Sequence, residues 1–332
     1  MINLTSPLKY IYDRLDLKFV VDSKRYNELI NAYHLRGTNV NVVESYNRII
    51  FMCDGRLHHN GLTDRLRGIL TTYALAKILK RPFYIHWTSP FRLENYLEPN
   101  NYDWRISHKD INYDIRCSTP LVFNLHPNKN YRKRNILSYL IFVKWLSKKA
   151  KDKHVYTNFY FPKSKFPKLY KELFQPSHVL LEEINKHLAV LGHHYWSFSF
   201  RYHRLLGDFR DVIGTPLAPE AAEKLINKNI NELKFLVNKL PNGYKCLITS
   251  DSQTFLNKIE LIDPRIYIVP GTISHVDVDK SSENGWLKLF VDQNLIMRAE
   301  KVFLLQTDGM YKSGFAEFAA LIGEKKFVYH QF

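Results

Sequence analysis

Short apolar runs alternate with segments of helical period along most of this chain. The first clear unit begins at Arg48. Ile49, Ile50, Phe51 and Met52 form an apolar strand signal that ends at Cys53-Asp54-Gly55. From Ile69 to Leu79 the apolar positions Ile69, Leu70, Tyr73, Ala74 and Ile78 fall at helical spacing, and Pro82 ends the pattern. Phe83 to Trp87 is the next strand signal. Strand, glycine-containing turn, helix and strand make one βαβ unit, which predicts the start of a parallel sheet. The turn lacks the G-x-G-x-x-G pattern, so the spacing points to no dinucleotide cofactor.

Residues 88–135 are polar, aromatic and irregular, and read as loops with short strands. A helix is predicted over Ile136 to Lys149. The stretch from Lys151 to Pro176, rich in lysine and carrying Pro162, Pro167 and Pro176, reads as an interdomain boundary. Two domains are therefore expected, 1–170 and 171–332. The second half alternates regularly. Helices are predicted over Pro176 to Leu191, Ala218 to Leu240, Thr254 to Ile262, Gly285 to Ala299 and Phe315 to Ile322. Strands are predicted over Tyr195 to Tyr202, Lys245 to Thr249, Tyr267 to Val269, Val302 to Leu305 and Phe327 to Tyr329. This alternation predicts a doubly wound, Rossmann-like α/β domain.

Charge changes the picture. The chain has 332 residues, 45% of them hydrophobic, and a net charge of +16, so an anionic partner is expected: nucleic acid, anionic lipid or a phosphorylated substrate. No helix-turn-helix, RNA-binding signature or zinc module is present, and the basic residues are spread, which argues against nucleic acid. Cys53, Cys117 and Cys246 are an odd number with no C-x-x-C, so reduced thiols in a cytoplasmic protein are expected. No signal peptide or transmembrane span is expected. The run Ile136 to Leu146 is too short to span and ends in Lys148, Lys149 and Lys151. It reads as a core helix with a solvated basic end, with a basic helix lying on a membrane surface as the alternative. Asp277-Val278-Asp279 has a metal-binding spacing but lies inside the βα series, so no metal is expected.

Candidate chemistry concentrates at FSFRYHRLLGDFRD, residues 198–211. An aromatic strand delivers Arg201, His203 and Arg204 to a turn at its C-terminal end, followed by Gly207-Asp208. Ligands of open α/β sheets bind at that edge, and the planar arginine fork matches the oxygens of a diphosphate. Asp251 ends the next strand, and Ser313 with Phe315 opens a helix whose N-terminus suits a phosphate. In the first half, His58, His59, Asn60, Gly61, Asp64 and Arg65 occupy the corresponding edge.

Four stretches, in order over about residues 48–330, resemble the fucosyltransferase superfamily, which includes the bacterial nodulation α1,6-, the bacterial α1,2- and the protein O-fucosyltransferases. Gly61 to Ile69 resembles the group's N-terminal glycine-rich turn and helix. FRYHRLLGDFRD resembles its His-x-Arg region, Ser250 to Ser252 its Ser-Asp-Asp element, and Lys312 to Gly323 its closing Ser-x-Phe-Ser-x-x-Ala-Ala element. The family histidine falls on Ser199 if Arg201 is its arginine, the second aspartate is Ser252, and the second serine is Ala316. The resemblance implies a divergent bacterial member with the GT-B fold, two Rossmann-like domains facing a central cleft. It implies an inverting, metal-independent transfer of fucose from GDP-fucose to a glycan, with no cofactor, in surface polysaccharide or lipopolysaccharide synthesis. The expected site is then Arg201, with Arg204 as the other candidate for the diphosphate; His203, Asp251, Ser313 and Phe315 on the donor; Asp208 or Asp64 as base; and His58, His59, Asn60, Gly61 and Arg65 toward the acceptor. A cytoplasmic enzyme touching the inner face of the plasma membrane is expected. The alternatives are another nucleotide-sugar on the same fold, and a nucleic-acid-binding protein.

Overall fold

A computed structural model describes residues 28–29, 31–33, 46–57, 59–123, 132–149, 151–159, 161, 163–208, 215–273, 276 and 283–332. The chain divides into two compact units, Met1–Leu93 with Pro99–Lys165, and Glu94–Glu98 with Phe166–Phe332.

The first unit is built on a four-stranded parallel sheet, ordered β2-β1-β5-β4, with β1 Ile49–Cys53, β2 Phe83–Trp87, β4 Ser118–Phe123 and β5 Asp152–Thr157. Every residue of β1 and β5 is buried, as strands of a parallel sheet covered on both faces must be. The helix α1, Leu62–Leu79, begins seven residues before the segment predicted from periodicity. Gly61 is its N-cap and Lys80, in the left-handed region, ends it. The residues read as a turn are thus its first two turns. Gly68 lets α1 lie directly on β5: a Cβ there would sit 2.0 Å from the Thr157 carbonyl oxygen and 2.8 Å from the Phe51 ring. Neither neighbour can retreat, so Gly68→Ala is expected to cost about 3 kcal/mol or more, read as a lowered urea midpoint.

β5 lies in the stretch expected as a boundary. Its polar residues are paired rather than solvated. Arg48 donates Nε at 2.9 Å and Nη2 at 2.7 Å to Asp152 Oδ2, while its backbone N–H donates at 2.7 Å to Oδ1. This ties the start of β1 to the start of β5. Helix α2, Arg132–Ser147, covers one face through Phe142 and Leu146.

The second unit contains the pairing of β3, Leu97–Pro99, with β6, Phe174–Pro176, and a five-stranded parallel sheet ordered β11-β10-β7-β8-β9. Its strands are β7 Tyr195–Phe200, β8 Lys245–Ser250, β9 Ile266–Ile268, β10 Lys301–Gln306 and β11 Lys326–Gln331. Its helices are α3 Phe166–Leu173, α4 His178–Leu191, α5 Pro219–Val237, α6 Gln253–Ile259, α7 Glu283–Arg298 and α8 Gly314–Ile322. α5 and α6 pack Leu225, Ile226, Leu233, Phe255 and Ile259 against β7, β8 and β10. From α4 onward the boundaries lie within a few residues of those predicted, because the inner strands and long helices carry apolar faces, whereas α3 and β6 lie in the stretch expected as a boundary. Chain order runs β7, β8, β9 in one direction and returns as β10 and β11 on the other side of β7. The sheet therefore reverses between β7 and β10, and its crevice opens at their C-terminal ends.

Candidate active site

Two loops meet at that crevice. The loop after β7 carries Arg201, His203 and Arg204; the loop after β10 carries Asp308 to Ser313 and enters α8. The Tyr311 N–H donates to the Arg201 carbonyl at 3.0 Å, which joins the loops. The Tyr311 ring, 54% exposed, stacks on His203 with centroids 5.0 Å apart and planes at 18°.

Asp251, at the end of β8, holds the first loop in place. Its Oδ1 accepts the Tyr202 N–H at 2.8 Å and its Oδ2 the His203 N–H at 2.7 Å, with Arg201 Nε 3.3 Å from Oδ2. His203 has φ of +60°, a left-handed conformation that a side chain adopts only when its surroundings impose it. The carboxylate on its N–H and the Tyr311 ring on its imidazole are those surroundings. Burial pushes the Asp251 carboxyl up, while Arg201 and the backbone amides pull it down. Arg201, with its side chain 19% exposed, is thus a cation oriented by a buried carboxylate at the crevice edge. Asp251→Asn replaces one acceptor oxygen by an amide that faces an N–H, so a loss of about 2–3 kcal/mol is expected in thermal or urea unfolding.

The other expected residues of this unit fall around the same edge. Arg204 is half-buried in the turn closed by the Gly207 N–H on its carbonyl at 3.0 Å. Asp208 Oδ2 accepts from Ser252 Oγ at 2.8 Å and from the Thr254 N–H at 2.7 Å, so this carboxylate caps α6. Ser313 is the N-cap of α8, its Oγ accepting the Phe315 N–H at 3.2 Å, and Phe315 is half-buried. Tyr311 was not anticipated; a lone tyrosine has no periodicity, and only its place between a strand end and a helix N-cap marks it.

In the first unit, the expected residues lie after β1 but turn mostly inward. Arg65 is 4% exposed and donates to Asn60 O at 3.0 Å, Cys53 Sγ at 2.7 Å and Ser89 O at 3.0 Å. It holds the loop together from inside. His59 is buried and stacks on Tyr156 at 5.7 Å. Asn60 has φ of +62° and Gly61 caps α1. Asp64, in the first turn of α1, has its side chain 33% exposed and lies 3.5 Å from Arg67. His58, Asp277 and Asp279 lie outside the described residues. Asp54, also unanticipated, sits directly after β1 with its side chain 3% exposed and accepts from Tyr113 Oη at 3.1 Å, Tyr156 Oη at 3.2 Å and Arg56. Burial, with Asp54 beside it, pushes the Tyr113 hydroxyl up to about 12, so it stays a donor. Among the described residues, no group of three histidines, cysteines or carboxylates could hold a metal ion.

No protein-family model matches the sequence, and no curated protein matches it. Solved structures do. NodZ alpha-1,6-fucosyltransferase soaked with GDP-fucose superposes with a TM-score of 0.53 at 14% identity, over 83% of this chain and 92% of that one. FUT1 of Arabidopsis thaliana, a variant in complex with GDP, gives 0.53 at 12% identity, over 96% and 77%. Fucosyltransferase NodZ from Bradyrhizobium gives 0.51 at 15% identity, over 83% and 93%. The chain has the fucosyltransferase fold. At these identities the likeness speaks to fold; what this fucosyltransferase-fold chain does rests on its own residues. Arg201 stands after β7, where the second sheet reverses, and Asp251 reaches it from the end of β8.

Proposed function

We propose that this chain is an inverting, metal-independent glycosyltransferase that moves fucose from GDP-fucose to a glycan acceptor. The observation that carries the reading is the orientation of Arg201 by Asp251 at the reversal point of the second sheet. Leaving GDP accumulates negative charge on its diphosphate, and an arginine fixed before the reaction stabilises that charge without reorganising. The N-terminus of α8, capped by Ser313, supplies a second positive pole on the same edge. The exposed Tyr311 ring offers a face on which a purine can stack. NodZ soaked with GDP-fucose and FUT1 in complex with GDP, which share the fold, support guanosine diphosphate as the nucleotide. Inversion requires a base on the acceptor hydroxyl, opposite the leaving group. Asp64 and Asp208 are the carboxylates we propose for it. Arg204 and His203 complete the donor side, and His58, Asn60 and Gly61 belong to the acceptor side in this reading, with buried His59 supporting the loop.

The acceptor we propose is a surface polysaccharide or lipopolysaccharide precursor, met by a bacterial enzyme in the cytoplasm. The deciding test is thermal shift of the purified protein with GDP, UDP, ADP and CMP in the presence of EDTA. Stabilisation by GDP, followed by slow release of fucose from GDP-fucose, is the expected result. Stabilisation by UDP alone would discard GDP-fucose, and a response to no nucleotide would discard the enzyme.

A further inference from the structure

Helix α2 was expected to be a core helix with a solvated basic end, and only part of it is. Phe142 and Leu146 are buried, but Ile136 is 54% exposed and Leu140 58% exposed. They are one helical turn apart, so they share an outward stripe, and Lys144 continues that stripe one turn further. Beside them stands Phe161, 55% exposed. Its position is built: its N–H donates to Thr71 Oγ1 at 3.0 Å, and its ring rests edge-on against Tyr139 of α2, centroids 4.9 Å apart. Lysines surround the apolar group. Lys144, Lys148 and Lys149 are exposed on and after α2, and Lys163 and Lys165 are exposed just after Phe161. No carboxylate occurs between Asn135 and Lys151, nor between Val155 and Leu169.

Large aliphatic and aromatic side chains held outward cost free energy in water unless something covers them. The cover must be apolar at the centre and negative at the rim. An anionic bilayer surface meets both conditions: Ile136, Leu140 and Phe161 enter the acyl boundary while the lysine heads remain among the phosphates. No helix of the described residues is long and apolar enough to cross a membrane, so the contact is peripheral. We propose that α2 and the Phe161 segment form a docking face for anionic lipid surfaces. The net charge of +16 acts in the same direction by drawing the protein to such a surface.

Sedimentation with vesicles tests this, using the full chain. Co-sedimentation with phosphatidylcholine–phosphatidylglycerol vesicles is expected, with little on phosphatidylcholine alone and release by high salt. Ile136→Ser/Leu140→Ser is expected to weaken binding about tenfold, as is Lys144→Gln/Lys148→Gln, at unchanged melting temperature because all four side chains are solvent-facing. Failure to sediment with anionic vesicles would overturn the proposal, as would binding that the serine variant leaves unchanged. A dimer in light scattering that the serine variant dissociates would also overturn it, by making a second copy the cover. None of these readouts depends on nucleotide or acceptor, so the docking face and the proposed activity stand or fall separately.

Discussion

Arg201→Ala is expected to lower turnover of GDP-fucose by about a hundredfold or more, with a smaller change in donor affinity. The asymmetry follows from where charge appears. The bound donor already carries a diphosphate that several cations and the α8 N-terminus can attract. The extra charge forms only as the glycosidic bond breaks, and a group preorganised at that point acts on the transition state more than on the ground state. Asp251 supplies the preorganisation by engaging Nε and the two following backbone amides. Arg201→Lys tests the geometry rather than the charge. Lysine keeps the positive charge but loses the planar fork, so only partial recovery is expected. The melting temperature must be read alongside, since removing Arg201 leaves Asp251 buried without its cation, and that alone can cost about 3 kcal/mol. A folded Arg201→Ala protein with near-normal turnover would remove Arg201 from the mechanism and move the diphosphate role to Arg204.

From Pro176 onward the second unit could be read from its sequence because its inner strands β7, β8 and β10 are apolar runs and its long helices carry an apolar face; α3 and β6, inside the proline- and lysine-rich stretch, could not. The first unit hides two elements. Residues Asp152, Lys153 and His154 look like part of a linker, yet they are buried in β5 because Arg48 neutralises Asp152 and Tyr33 bonds His154 at 2.7 Å. Polarity patterns cannot anticipate partners more than a hundred residues away in the chain. The first turns of α1 are masked by Gly61 and Gly68, which look like turn residues; Gly68 is there for the close approach to Thr157. At the site, the basic residues after β7 were visible, because charge after an aromatic strand is a local signal. The function of Asp251 was not: its oxygens point back at the preceding loop rather than outward, which only the fold determines. Arg65 shows the converse. A basic residue at a helix start looks available, and here it is buried on carbonyl oxygens.

Acidification below pH 6.5 is expected to destabilise the first unit through two buried histidines. His154 in β5 is fully buried against Tyr33 and Tyr113, and burial, with Arg48, His86 and Arg56 adding to it, pushes its imidazole down to about 3. His86 in β2 is stacked on His108 at 5.4 Å; burial pushes it down to about 4, with His108, Arg56 and Arg92 in the same direction and Asp54 opposing. In the unfolded chain both titrate near the ordinary histidine value of 6.5. Between 6.5 and about 4 the unfolded state therefore binds more protons than the folded one, and stability falls as pH falls through that window. Near pH 5 the loss is about 2 kcal/mol for each histidine. The sign is that of depressed imidazoles: full stability above 6.5, progressive loss below it, and no further loss from these two groups beneath about 3. Urea unfolding at a series of pH values measures the slope. His154→Gln separates titration from packing: it should lower stability at neutral pH by removing the Tyr33 bond, while making the acid slope shallower by about one proton. A variant that keeps the full slope would show that His154 is not among the groups that take up protons on acid unfolding.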